Sequence, residues 1–137
     1  MLCMKLIKGF PPNIKEIESV LGTIGETVYC WGDTLYAPDL AIGKELQEDV
    51  YIHERVHQKQ QESYATPGMW WAKYLYDLEF RKEQEIGAFR AQFLWVKVRT
   101  TNKIAKECLF DLADILRSPL YGLQLSHQEA EQAIRKN

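Results

Sequence analysis

The sequence predicts an α+β fold, in which a small N-terminal antiparallel or mixed sheet built on a β-hairpin packs against a mainly helical remainder. Three observations predict it. Strand-forming residues gather in short stretches before Pro38. Beyond residue 42, apolar side chains recur at helical spacing. Proline, glycine and serine breaks separate these stretches, with no repeat, linker or low-complexity segment, so residues 1–137 read as one domain.

Each element has its own signal. Residues 2–8 alternate weakly and are rich in Leu, Met and Ile, which predicts a strand, broken by Pro11 and Pro12. Ile14, Ile17, Val20 and Leu21 follow at helical spacing up to Gly22, which predicts a short amphipathic helix and then a loop through Glu26. Residues 27–31 and 34–37 form two strands around a tight Gly32-Asp33 turn. Pro38 stops the second and suggests an edge position, where an extended peptide can add as a further strand.

From residue 42 or 43 to about residue 63 the pattern is helical. Leu46, Val50, His53, His57 and Gln60 or Gln61 share one face, widened by Ile52 and Val56, and charged or amide side chains cover the rest. Pro67 suits the first turn of a following helix. Trp70, Trp71, Tyr74, Leu75 and Tyr76 make an aromatic cluster expected in the core. The pattern leaves open whether residues 69–100 form one helix or two. A further helix over residues 102–116 is expected to turn Ile104, Cys108, Leu109, Leu112 and Ile115 or Leu116 inward. Ser118-Pro119 ends it, and Ser126 with Glu129 is a capping box opening a last short helix.

Bulk properties narrow the function classes. Apolar residues at 46% and charged residues at 26% suit a chain that buries an ordinary core. A net charge of -2 gives no general pull toward nucleic acid or anionic membrane, and the longest apolar runs are too short to span a bilayer. Lys5 and Lys8 interrupt the first apolar run, and no small-residue cleavage site follows, so that run reads as a strand and not a signal peptide. Cys3, Cys30 and Cys108 form no C-x-x-C pair, which favours free core thiols in a reducing, cytoplasmic location.

The chemistry centres on His53-Glu54-Arg55-Val56-His57, an H-E-x-x-H run inside the second helix. Two imidazoles one turn apart point the same way, as two ligands of one zinc ion must, and Glu54 between them is placed to hold the water that the metal activates. Hydrolytic zinc takes three protein ligands and leaves one position for water. The third is expected on a later helix. Glu85 shares a stripe with Leu78, Ala88 or Phe89, Gln92 and Val96, and small Gly87 and Ala88 would let that helix approach closely. Glu83 is the other candidate, on a more solvated stripe with Glu79, Ile86 and Arg90.

These residues, with Glu85-Ile86-Gly87-Ala88 matching an E-x-x-A pattern, resemble a zincin-like HExxH metallopeptidase of the gluzincin type, in the short single-domain form found in bacterial and phage genomes. The resemblance spans residues 27–92 and includes the order hairpin, motif helix, glutamate helix. It implies zinc on His53, His57 and Glu85, Glu54 as the base that takes a proton from water and returns it to the leaving amine, and a peptide or protein substrate. It also implies a donor to the developing oxyanion, for which Tyr36, Tyr64, Tyr74, Tyr121 and His127 are candidates; His127 reads rather as a surface residue. Many relatives carry an aspartate four residues after the ligand glutamate, where this chain has Phe89. A zinc-stabilised interaction module without turnover is the alternative, since so small a chain leaves little room for a lid.

Overall fold

The computed structural model describes residues 4–22, 27–40 and 44–136. Within them the protein is α+β, with a three-stranded mixed sheet and six helices. The expected loop at residues 23–26, the helix start at residues 42 and 43, and Cys3 lie outside the described residues.

Strand β1 is Lys5–Ile7, β2 is Tyr29–Trp31 and β3 is Thr34–Tyr36. Helix α1, Ile14–Leu21, buries Ile17 and stops at Gly22, whose φ of +84° suits a residue without a Cβ. The Gly32-Asp33 turn joins β2 and β3 as an antiparallel hairpin, as expected. The edge assignment of the second strand is corrected. The sheet order is β1-β3-β2, so β3 lies in the middle, with β1 parallel to it. Pro38 follows the last paired residue and costs the ladder no donor, while Ala37 N still donates to Ile7 O. Strand addition is therefore left to the outer edges, and on β2 the Cys30 carbonyl already accepts from Gln61 Nε2 and Trp71 Nε1.

Helix α2 is Glu48–Gln61 and begins later than its pattern suggests. Residues 44–47 are not helical; Gln47 is extended, and Glu48 and Asp49 place negative charge at the positive end of the helix. Two helices resolve the open question about residues 69–100. They are α3, Pro67–Tyr76, and α4, Leu78–Arg99. Asp77 has extended backbone angles that end α3, and its side chain caps α4 by accepting from Phe80 N. Helix α5 is Asn102–Leu116 and α6 is His127–Arg135, opened by the complete Ser126–Glu129 capping box.

The long helix α4 touches α2, α3, α5 and α6. Its C-terminal part joins an apolar core with α5 and α6, made of Phe89, Phe93, Leu109, Leu112, Leu116 and Ile134 among others. A second, aromatic core holds Ile17, Tyr29, Trp70, Trp71, Tyr74 and Leu75. Tyr76, expected in that cluster, is exposed instead. Ile104 and Ile115 point outward at 47% and 44% exposure. The buried stripe of α5 runs through Ala105 and Ala113, small residues that let the helix lie close on its neighbours and turn the isoleucines away. Leu78, expected inward, is exposed at the start of α4. Among the described residues no helix is long and apolar enough to cross a membrane.

Candidate metal centre

Between the two cores runs a seam of buried polar side chains. Helix α2 supplies His53, Glu54, His57 and Gln61, and α4 supplies Arg81, Glu85 and Gln92. The motif spacing does what helix geometry requires: the His53 and His57 rings lie 4.9 Å apart on the face turned to α4. The ligand atoms of His53, Glu54 and His57 all lie within 4.8 Å of one another, a buried group able to hold a metal ion.

Glu85 meets this group from the facing helix. Its Oε1 lies 3.3 Å from His53 Nε2, and its Oε2 lies 3.4 Å from His57 Nε2. Glu83 is exposed and takes no part. A Cβ added at Gly87 would meet Gln60 Nε2 at 3.5 Å, an ordinary van der Waals contact, so the approach of α2 at this point does not itself require a glycine. Glu85 Oε1 is buried and has no hydrogen bond among the described residues. An anionic oxygen without a donor, facing imidazole nitrogens, fits a bound cation. Its other oxygen accepts a short 2.5 Å hydrogen bond from Tyr74 Oη.

The charges are coupled. Burial alone would lower the His57 pKa, but the Glu85 carboxylate outweighs it and raises the imidazole to about 9. For Glu85, burial pushes upward, yet His57 and His53 together hold it well below the usual carboxylate range. Burial raises the Glu54 carboxyl, only partly opposed by the two histidines. Glu54 makes no hydrogen bond among the described residues; its Oε2 lies 3.9 Å from His53 Nε2.

The outer support differs from the pattern of an aspartate at the Phe89 position. Phe89 packs edge-on against His53, with ring centroids 4.5 Å apart. His53 Nδ1 instead pairs with Gln92 Oε1 at 3.0 Å, and His57 Nδ1 with Gln60 Oε1 at 2.8 Å. Sequence reasoning put Gln92 on the Glu85 stripe, left Gln60 or Gln61 open on the histidine face, and gave none of them a role, because an amide carries no charge signature that marks it as a partner of histidine.

Arg81 is a further residue without a sequence signal. It is buried, and its guanidinium donates to the carbonyls of Tyr74, Leu75 and Tyr121 at 2.9, 2.7 and 2.8 Å. The segment after α5 is thereby tied down over the centre. A small cavity of about 50 Å³ and a wider groove of about 420 Å³ flank the site and share Thr27, Val28, His53, Glu54, Leu120 and Tyr121 as lining. Of the proposed oxyanion donors, Tyr74 is engaged by Glu85, Tyr36 and Tyr64 line neither space, and His127 pairs with Asp114 and Glu131 outside the site. Tyr121 remains, its hydroxyl pushed well above the usual range by burial and by Glu85 and Glu54.

No known protein family, curated protein or solved structure matches this chain.

Proposed function

We infer that this protein is a zinc-dependent peptidase of zincin-like type. The observation that carries the reading is the Glu85 carboxylate from α4 set against the Nε2 atoms of both motif histidines on α2. His53, His57 and Glu85 would hold the ion, with imidazole nitrogen and carboxylate oxygen donors from the set that zinc accepts. When bound, zinc supplies a Lewis acid and makes a water acidic enough to attack at neutral pH.

The remaining work belongs to the chain. Glu54 receives the proton of the attacking water and delivers it to the leaving amine; its raised pKa brings it closer to working pH, where a proton carrier is most efficient. Tyr121 donates to the carbonyl oxygen as charge develops there. The wider groove beside His53 and Glu54 offers room for a substrate chain, and the small cavity holds no more than water or a small group. A peptide or protein substrate in extended form suits that layout.

The burial of the centre favours a second reading, a zinc-stabilised binding module without turnover. His53, Glu54, His57 and Glu85 are all less than a tenth exposed. Metal analysis, with cleavage of a mixed peptide library by wild type and Glu54→Gln, separates the two. A peptidase binds one zinc and cleaves, and Glu54→Gln keeps the zinc while losing cleavage. Zinc bound by a wild type that cleaves nothing leaves the binding module. A wild type that takes up no zinc overturns both.

A further inference from the structure

We propose that Gln92 and Gln60 are positioning residues that decide which nitrogen of each motif histidine faces the metal, and that Asp49 sets the first of them. The inference rests on the metal reading above but not on catalysis.

The argument is one of donors and acceptors. A glutamine amide can present either end, and its neighbours decide which. Gln92 Nε2 lies 2.8 Å from Asp49 Oδ2, and an ionised carboxylate only accepts. The NH2 end of Gln92 must therefore face Asp49. That leaves Oε1, an acceptor, against His53 Nδ1. Nδ1 must then carry the proton, and Nε2 presents its lone pair toward Glu85. The same logic holds at the second histidine. Gln60 Nε2 donates to the Gln84 carbonyl at 3.1 Å, and a carbonyl only accepts, so Gln60 Oε1 accepts a hydrogen bond from His57 Nδ1–H.

Both devices span the seam. Asp49 and His53 lie on α2 and hold Gln92 of α4 between them; Gln60 reaches from α2 to the α4 backbone one residue before Glu85. They therefore fix imidazole direction and helix spacing together. They do so with neutral groups. A carboxylate against Nδ1 would add a negative charge beside two that are already buried, Glu54 and Glu85. Amides orient the rings without it, so the two carboxylates alone would match the charge of a divalent cation.

Zinc affinity measured by chelator competition, with 15N spectra of the imidazoles in the zinc-loaded protein, tests this. Gln92→Leu is expected to weaken zinc binding by about 10–100-fold, the usual cost of losing an outer partner of a metal-bound histidine. Gln92→Glu should weaken it as well, because the new carboxylate confronts Asp49. Exchanging the two groups, in the double variant Asp49→Asn/Gln92→Glu, should recover affinity to within about threefold of wild type and restore the His53 Nδ1–H signal. A packing role would not produce that rescue. Unchanged affinity in Gln92→Leu, or a double variant no better than Gln92→Glu alone, overturns the proposal while leaving the metal site intact. Absence of zinc binding by wild type overturns the metal site and this proposal together.

Discussion

Helix α4 takes part in two interiors built on opposite principles. Where it meets α2, the buried polar side chains are imidazoles, carboxylates and amides. Where it meets α5 and α6, they are phenylalanine, leucine, isoleucine and alanine. Apolar burial stabilises the fold in proportion to the area removed from water. Buried charge costs stability unless paired, and here the pairing leaves one oxygen of Glu85 without a donor. The aliphatic side thus carries the stability that lets the polar seam exist.

The contrast is sharpest in substitutions whose effects have opposite sign. Glu54→Gln is expected to lower peptide hydrolysis by about 10²–10⁴-fold, the usual contribution of a positioned acid–base group. It should also raise the thermal midpoint of the metal-free protein, because burial disfavours the ionised Glu54 it replaces. A lowered midpoint would break the comparison. Leu116, fully buried, is the counterpart on the other side. Leu116→Ala should cost about 2–5 kcal/mol in denaturant unfolding. Zinc affinity of the folded fraction should stay at the wild-type value, which a titration below the unfolding midpoint checks.

A smaller effect comes from pH. The metal-free His57 holds its proton up to about 9, so zinc must displace that proton at any lower pH. From this group alone, zinc affinity should weaken by about tenfold for each unit as pH falls from 9 toward neutrality. For stability the sign is the same as for any histidine with a raised value. The His57–Glu85 pairing helps the metal-free protein fully below pH 6.5 and is lost as pH rises through about 9. Melting curves across that interval, with and without zinc, would show it. The smallest change belongs to the surface of the aliphatic side: Ile104→Lys should move stability by less than about 0.5 kcal/mol, since Ile104 lies outside the core it was expected to join.

What could be read from the sequence followed local rules. The spacing of His53 and His57 sets a common face on any helix, and the stripe through Glu85 and Gln92 marks the face of α4 that is buried. Gly22, Pro67 and the Ser126–Glu129 box marked helix ends through backbone preferences that act within a turn. The errors share a different cause. The central place of β3 depends on β1, which pairs with it from 29 positions away in register. On α5 the alanines face inward and the larger isoleucines do not, because close helix packing selects for small shape as well as for hydrophobicity. The amide partners Gln60 and Gln92, and the Arg81 clamp, act through contacts between elements that no short pattern encodes.

The break at Asp77 bears on the order in which the molecule assembles. Because the chain doubles back there, Tyr74 reaches Glu85 across only 11 positions, and Arg81 reaches the carbonyls of Leu75 and Tyr74 across 6 and 7. His53 and Gln92 stand 39 positions apart. Closing the shorter loop costs less chain entropy, so the carboxylate arm is expected to form first and the imidazole arm to follow when α2 docks. In stopped-flow refolding, Asp77→Ala is then expected to slow folding, whereas Gln92→Leu mainly speeds unfolding. The metal would meet its ligands only at the last step, as a latch on a structure whose two halves form in sequence.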